Sequence, residues 1–453
     1  MAQELDHTNL HRAAKYFMDS GRVESPDEAM ALLQKFGLTI HVGDEIVGSA
    51  NHQIALLTLV NTARRSLLGG IEIVGLPDVM SLTPLAPNRP LIEAVRELGG
   101  VPVIRARPGW PSALIGGAAA DPATAPCWQL SWDGWRGGVI PSRQNRRLAE
   151  AEAMALAPAL AAAVCAAEAF AFHAGDHPMA GRRSTGLSLW RPDADWMVVD
   201  ASEPTLAYLP SRLWIIGLGN LGQAFAWLLA CLPYADRSEV QFMLQDFDRI
   251  APSNDSTSLL SFLRDANRKK TRVVGDWLEA RGFQTFLEER RFGPWTKKAD
   301  DEPGAALCGV DNANARVGLE KAGFGLVIEA GLGAGPQAFR SLSMHTFPAS
   351  RSAEDIWSKQ VGQAPEVFEN MPAYQAMKRK GMDRCGLTQL ASRTVGVPFV
   401  GLTAGCLVIS ELLRRLHGGT ATEVLSGSVA AFENIEIVAM QMQPYAFGHV
   451  PVA

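Results

Sequence analysis

Apolar runs alternate with amphipathic segments along most of the chain, which is the pattern of an α/β protein. In the second half, an apolar strand over 213–216 leads into a glycine-rich turn, a helix over 223–232 and a second strand over 239–248. The first half has the same order, with a strand over 38–42 and a helix over 53–65. This alternation predicts parallel sheets covered by helices.

The later helices of the two halves also follow the same order. A second helix is predicted at 90–98 in one half and 269–280 in the other, and a long apolar helix follows at 156–172 and 395–416. We therefore predict a tandem duplication in which the first copy has lost its glycine loop. The fold class is α/β, with tandem Rossmann-like domains and mostly parallel sheets. The alternative is that two unrelated α/β domains share this pattern.

The predicted domain boundaries follow the composition. The first copy spans 1–175, a proline-containing linker spans 176–210, and the second copy spans 211–453. Within the second copy, the stretch 348–384 has little periodicity and is predicted to be a crossover loop.

Composition excludes several classes of protein. The chain has 453 residues, a net charge of −5 and six dispersed cysteines without a C-x-x-C pair, which disfavours nucleic-acid binding and a zinc site. The apolar stretch 154–172 is mostly alanine and contains a proline and a glutamate, so a buried helix is a better interpretation than a membrane span. The start of the chain lacks the apolar core of a signal peptide. We expect a cytoplasmic protein with neither a nucleic-acid nor a membrane partner.

The glycine turn of the second half is a candidate phosphate site. Gly217, Gly219 and Gly222 follow a predicted strand and open a helix, so the backbone can approach a phosphate at a helix N-terminus. This motif alone fits a nicotinamide-dependent dehydrogenase equally well, because Asp246 or Asp248 stands where an acidic residue would hold a ribose.

Four further sequence features narrow the choice between a dehydrogenase and other nucleotide-binding proteins. Asp246-Phe-Asp248 is followed by Ser253-Asn254, then by Lys270, and then by Asp311-Asn312-Ala-Asn-Ala-Arg316. In this order and spacing they resemble the ThiF/MoeB/HesA superfamily, which includes the ubiquitin-activating enzymes. The resemblance covers roughly 213–418, and the first half resembles the inactive adenylation copy of two-copy activating enzymes.

The resemblance implies an ATP and magnesium site. Asp248 would hold the ribose, Asn254 and Lys270 would face the phosphates, and Asp311 would hold Mg²⁺. The remaining residues implied at this site are Gly217, Gly219, Asn220, Gly222, Asp246, Asn312 and Arg12. Such charges suit adenylylation, because a carboxylate must approach an α-phosphate against like charge. Taken singly, Lys270 also fits a solvated charge at a helix start, and Asp311 fits a helix N-cap.

One departure from the family pattern concerns an arginine. The family usually has one three residues after the Ser-Asn asparagine, where this chain has Thr257. Arg264 or Arg268 from the following segment are candidates to replace it. Arg12 matches the arginine that family members contribute from an N-terminal helix, although a surface charge is the alternative interpretation.

Cys385 is the candidate nucleophile. It precedes the long helix of the second copy, and its position resembles that of the active cysteine in ThiF-type sulfur carriers and autophagy activating enzymes. A thioester requires thiolate character, which the neighbouring Arg384 or a helix N-terminus would favour. A buried structural cysteine is the alternative.

These expectations combine into one function. Mg·ATP and the C-terminal glycine of a ubiquitin-like protein would give an acyl adenylate, then a thioester on Cys385, then transfer to a conjugating enzyme. The high arginine and alanine content suggests a bacterial chain and a resemblance to the activating component of bacterial ubiquitin-like defence operons. A homodimer is possible. The alternatives are an adenylyltransferase for sulfur-carrier or peptide modification, a dehydrogenase, and a binding platform without catalysis.

Overall fold

The computed structural model describes residue 6 and residues 8–120, 125–362, 368–441 and 445–453. Its strands are β1 Gly37–Val42, β2 Gly70–Val74, β3 Gly100–Val103, β4 Ser112–Ile115, β5 Cys127–Asp133, β6 Arg136–Pro141, β7 Thr185–Ser188, β8 Tyr208–Pro210, β9 Arg212–Ile216, β10 Gln241–Gln245, β11 Gln284–Glu288, β12 Ala305–Cys308, β13 Leu326–Leu332, β14 Ser341–Phe347, β15 Thr422–Ser428, β16 Ala431–Ala439 and β17 His449–Pro451.

Its helices are α1 Ala14–Asp19, α2 Pro26–Leu33, α3 Ala50–Ala63, α4 Leu91–Glu97, α5 Leu156–Ala174, α6 Asn220–Cys231, α7 Lys270–Glu279, α8 Ala313–Val317, α9 Gly335–Ala338, α10 Ala353–Trp357, α11 Pro372–Arg379, α12 Arg384–Ala391 and α13 Pro398–Leu416. Short 3-10 turns connect several of them.

Two large sheets share one topology. The first has the order β3-β2-β1-β4-β5-β6-β7, and the second has the order β11-β10-β9-β12-β13-β14-β15-β16. In both, the first five strands are parallel and the following strands antiparallel. The predicted fold class, tandem Rossmann-like domains with mostly parallel sheets, is confirmed, and the matching topology is what a duplication would produce.

The core is continuous between the two halves. The long helices α5 and α13 pack against each other and against α3 and α6, and their apolar side chains belong to one cluster that joins both sheets. Within the described residues, α5 alone is long and apolar enough to cross a membrane, but 89% of its apolar window is buried inside the protein. It is a core helix in this structure, as its composition predicted.

Two predicted boundaries differ from the structure. The stretch 176–210, expected to be a linker, contains β7, which pairs with β6 and completes the first sheet. Its last strand, β8, pairs with β17 near the other end of the chain. The stretch 348–384, expected to be a crossover loop, contains α10 and α11 among its described residues. Residues 363–367 of that stretch lie outside the described part.

Candidate functional site

The glycine loop between β9 and α6 has a backbone that requires glycine at two positions. Gly217 has a φ of +82°, and a Cβ at Gly222 would collide with the carbonyl oxygen of Gly217. By contrast, a Cβ at Gly219 would meet nothing within 4 Å, so open space lies beside the start of α6. The loop thus presents backbone close to a free space at a helix N-terminus, as phosphate sites require.

Asn220 is the first residue of α6, and it connects the loop to α13. Its side-chain amide donates to the carbonyl of Val397 at 3.1 Å. This bond fixes the start of α6 against the start of α13, so Asn220 positions the loop.

The two acidic residues after β10 have different roles. The carboxylate of Asp246 accepts hydrogen bonds from the amide of Leu218 at 2.7 Å and from the amide of Asp248 at 2.8 Å. Asp246 is buried and braces the glycine loop from inside. The side chain of Asp248 is half exposed, which leaves its carboxylate available to a ligand.

Lys270 begins α7 and reaches the same place. Its ammonium lies 2.9 Å from Asp248 and 3.8 Å from Asp246, and its backbone amide donates to the carbonyl of Asp248 at 3.1 Å. The residue is 9% exposed, so it is not the solvated helix-start charge that was the alternative interpretation. A buried lysine between two carboxylates is held in a fixed position.

The Ser-Asn motif forms a short turn after these residues. The side-chain oxygen of Asn254 accepts a hydrogen bond from the amide of Ala251 at 2.9 Å and closes a 3-10 turn over Pro252–Ser256. Asn254 therefore shapes this loop.

The first half of the chain holds this loop in place. Arg65, which follows α3, is buried and donates to the carbonyls of Asp255, Leu259 and Ser261 at 2.5, 2.8 and 2.9 Å. Its neighbour Arg64 pairs with the Asp255 carboxylate at 3.0 Å. Sequence reasoning missed both arginines, although two adjacent cations that end an apolar helix were a visible signal.

Asp311 stands on the segment that follows β12. It is exposed and has neither a hydrogen bond nor an ion pair with another described residue. Arg316, from α8, donates to the carbonyl of Val310 at 2.9 and 2.7 Å and pairs with the buried Glu329 at 3.0 Å. The motif arginine thus fixes the backbone on which Asp311 stands.

Asn312, the residue after Asp311, caps α8. Its side chain accepts from the amide of Asn314 at 2.8 Å. The N-cap role suggested for Asp311 therefore belongs to Asn312, and the Asp311 carboxylate stays available.

Arg12, just before α1, lies at this site. Its side chain donates to the carbonyl and the hydroxyl of Thr394 at 2.8 and 2.7 Å. Burial and the nearby Arg393 lower the pKa of the Arg12 guanidinium to about 10, while nearby Asp311 acts in the opposite direction. A Cβ at Gly396 would meet both Thr257 and Arg12, at 2.8 and 3.4 Å, so Arg12 neighbours the position of the missing family arginine.

Arg264 and Arg268, the other candidates to replace the missing family arginine, form ion pairs with other residues. Arg264 pairs with Glu97 at 3.1 Å, and Arg268 pairs with Asp265 and Asp276 at 3.0 and 2.7 Å. The hypothesis that either one reaches the site is wrong for this structure, because both guanidinium groups are paired with these other carboxylates.

Cys385 lies in the first turn of α12 and is the exposed cysteine of the chain. Asp383 caps this helix by accepting from the amide of Gly386 at 2.6 Å, and the Gln389 amide lies 3.6 Å from the sulfur. Burial raises the thiol pKa of four other cysteines, which are Cys165, Cys231, Cys308 and Cys406. Cys385 is therefore not the buried structural cysteine of the alternative interpretation.

A buried polar network connects α1 to the segment that carries Cys385. The Lys15 ammonium donates to Asp19 and to the Tyr374 hydroxyl, both at 2.7 Å, and to the carbonyl of Ala391, the last residue of α12, at 3.0 Å. The Tyr374 hydroxyl, on α11, also donates to Asp19 at 2.6 Å. Since Arg12 precedes Lys15 by three residues, one short segment touches both the candidate nucleotide site and the α11–α12 unit.

The corresponding positions of the first copy have lost these charges. The amide of Leu91 donates to the carbonyl of Val79 at 2.8 Å, just as the amide of Lys270 donates to that of Asp248. Two apolar residues therefore stand where the second copy has its lysine and aspartate. The segment after β4, 116–118, has only glycine and alanine where the second copy has Asp311.

The Glu45 carboxylate of the first copy bridges the turn after β1 and the segment after β4. Glu45 accepts from the amide of Gly117 at 2.8 Å and from Arg147 at 2.8 Å. Burial alone would raise the pKa of Glu45, but these two donors outweigh it and lower the pKa to about 2. The Gly117 amide is thus satisfied by a carboxylate of the protein itself.

The residues around the glycine loop of the second copy, together with Arg12, fit ATP with magnesium. Lys270 and Arg12 supply positive charge, Asp248 an accessible carboxylate, and the space beside Gly219 room for phosphates. Among the described residues there is no group of three or more candidate metal ligands. A single carboxylate suffices for Mg²⁺, which completes its octahedron with waters and substrate phosphates.

Comparisons with known proteins agree with this two-part architecture. The chain matches the model of the BilD N-terminal domain over residues 37–189 and that of the BilD C-terminal domain over residues 209–419. It therefore belongs to the BilD family. It is 66% identical over 445 residues, 98% of this chain and 96% of the other, to the bacterial E1-like protein BilD of Collimonas sp. (strain OK412).

Among solved structures, the chain is similar to MccB of E. coli. The crystal structure of MccB and that of MccB with ATP each match at 12% identity with a TM-score of 0.33. The match covers 52% of this chain and 63% and 65% of the two MccB chains.

Proposed function

We propose that this chain is an E1-like activating enzyme for a ubiquitin-like protein. The observation that carries the proposal is the placement of charged residues around the glycine loop that follows β9. Asp248 follows β10 and pairs with Lys270 at the start of α7, whereas Asp311 follows β12 on the other side of β9, with Arg12 near it. Crevices at the carboxyl ends of parallel strands are where α/β folds bind nucleotides. The chain belongs to the BilD family, and its 66% identical relative is described as E1-like, which supports an E1-like activating enzyme.

The first step is adenylylation of the partner's C-terminal glycine. A carboxylate oxygen of the partner attacks the α-phosphorus of ATP, the bond to the β-phosphate oxygen breaks, and pyrophosphate leaves. Lys270 and Arg12 offset the charge that accumulates around the phosphates, and Asp248 orients the ribose. Asp311 would hold Mg²⁺, which supplies further neutralisation at the phosphates.

The second step transfers the acyl group to Cys385. The thiolate attacks the acyl carbon, and AMP leaves as the thioester forms. A thiol of the conjugating enzyme then attacks the thioester, which returns Cys385 as a thiolate. The exposure of Cys385 in the first turn of α12 supports this role, because a thiol that meets two partner proteins must be accessible.

The first copy is proposed to be inactive in adenylylation and structural in role. Val79 and Leu91 replace the charged pair, Glu45 satisfies the Gly117 amide, and Arg65 holds the loop of the active copy.

Pyrophosphate exchange into ATP with Mg²⁺ and a candidate ubiquitin-like protein tests the first step. We expect exchange that depends on the partner and is abolished in Asp311→Ala. The matched control is Asp276→Ala, which removes an exposed carboxylate on the far part of α7 and should leave exchange unchanged. A non-reducing gel of wild type and Cys385→Ala then separates thioester formation from adenylate formation.

Two other functions predict different results. An adenylyltransferase for a sulfur carrier or a peptide would show exchange but no transfer to a conjugating enzyme. A binding platform would bind ATP or partner without exchange, and Thr257 in the place of the family arginine favours it.

A further inference from the structure

A concave pocket of about 910 Å³ opens on the first copy, away from the site described above. Its floor includes Leu114 on β4 and Gln129 on β5, and its apolar wall includes Pro126, Phe172 and Pro178. This volume is near the upper end of the roughly 300–1,000 Å³ that ligand pockets occupy. A single inorganic ion would fill only a small part of it.

One layer of the second copy has no counterpart among the described residues around this pocket. In the second sheet, Cys308 pairs with Glu329, and Arg316 of α8 covers this face by pairing with Glu329 at 3.0 Å. In the first sheet, Leu114 pairs with Gln129 in the same register. The described residues of the connection from β4 to β5, which are 116–120 and 125–126, form no helix over this face of the sheet.

The rim of the pocket is strongly basic. Arg143, Arg146 and Arg182 line it, and none of the three forms an ion pair with a residue that the structure describes. The fourth arginine, Arg147, is neutralised by Glu45 and Glu150. No aspartate or glutamate is among the described lining residues.

A hydrogen bond connects two segments of the basic rim. The Arg143 guanidinium donates to the carbonyl of Arg182 at 2.9 Å, which connects the turn after β6 to the segment before β7. Two arginine-bearing segments from different parts of the chain therefore face one cavity in a fixed arrangement.

We propose that this pocket binds an acidic segment of a partner protein. Arginine clusters recognise acidic motifs through bidentate bonds to carboxylates, and an apolar wall accommodates the neighbouring side chains. The chain as a whole has a net charge of −5, so this basic surface is a local exception that favours an anionic partner. The inference is independent of adenylylation.

The test is the fluorescence anisotropy of fluorescein-labelled hexaglutamate titrated with the full-length chain at low salt. Arg146→Glu/Arg182→Glu should weaken binding about tenfold or more, since it reverses two unpaired charges. The matched control is Arg96→Glu/Arg105→Glu, which reverses two exposed charges of the first copy outside the pocket and should bind as wild type does. Asp311→Ala should also bind as wild type does.

Three results would overturn the proposal. The first is the absence of measurable binding to the wild-type chain at low salt. The second is equal loss of binding in the pocket variant and its control, which would indicate only general charge attraction. The third is complete competition by equimolar inorganic pyrophosphate, which would assign the pocket to small anions instead of a protein segment.

Discussion

The ammonium of Lys270 lies 2.9 Å from the carboxylate of Asp248, and the two residues come from different elements of the second copy. Each is the other's ion-pair partner in this structure. When ATP binds, its ribose and its phosphates would compete for these same two groups. The pair therefore holds both side chains in place, and it leaves Lys270 without an unpaired buried charge.

Lys270→Ala is expected to slow pyrophosphate exchange about 100-fold, because it removes one preorganised cation from the phosphates. Steady-state exchange rates at saturating ATP measure the loss. Arg268→Ala is the control, since Arg268 pairs with Asp265 and Asp276 instead of Asp248, and this variant should retain wild-type exchange. Equal rates for wild type and Lys270→Ala would remove Lys270 from the mechanism.

Cys385 is expected to be alkylated faster than the other five cysteines. It is exposed, whereas four of the other cysteines are buried with raised thiol pKa values and Cys127 is partly buried with a thiol pKa raised by burial. Peptide mass spectrometry after a limiting dose of iodoacetamide should show the label on Cys385. Faster labelling of any other cysteine would contradict the accessibility on which the thioester step depends.

Lys15→Met is expected to lower the free energy of unfolding by about 3–5 kcal/mol, because Asp19 would remain buried without its cation. Urea unfolding of the full chain measures the difference. Lys35→Met removes an exposed lysine of the same copy, and its effect should stay within about 0.5 kcal/mol. A variant at position 15 as stable as wild type would show that the α1–α11 network contributes little.

Glu45 is expected to make the first copy sensitive to acid. Its folded-state pKa of about 2 lies below the ordinary value near 4.5, so its stabilisation is complete above the ordinary value and is lost as pH falls toward 2. The stability of wild type relative to Glu45→Gln should therefore shrink between about pH 4.5 and pH 2. Urea midpoints at several pH values test this, and a constant difference between the two chains would contradict it.

Periodicity predicted the two sheets well because the buried strands are short apolar runs between helices. The hydrophobic pattern also predicts a strand over 70–74 after the helix over 53–65, and both this strand and the start of the helix at Leu156 agree with the structure to the residue. The linker over 176–210 was partly wrong because β7 has only four residues, too few for a periodic signal, and its pairing with β6 is a tertiary contact.

The motifs located the glycine loop and the charged residues, yet they did not distinguish positioning from binding. The hydrogen bonds show that three of the predicted site residues have a positioning role. The side chains of Asp246 and Asn312 accept from backbone amides, and that of Asn220 donates to the residue before α13. Contacts between distant segments, such as Arg65 with the Ser261 carbonyl, leave no trace in local spacing.

Mass spectrometry of the ubiquitin-like partner tests the central claim most directly. The partner is incubated with ATP, Mg²⁺ and Cys385→Ala, a variant in which the acyl adenylate cannot pass to the thiol. The account predicts that the partner gains the mass of one adenylyl group at its C-terminal glycine, and that a partner without that glycine gains none. A partner that binds the chain but remains unmodified would contradict adenylylation and favour a binding platform.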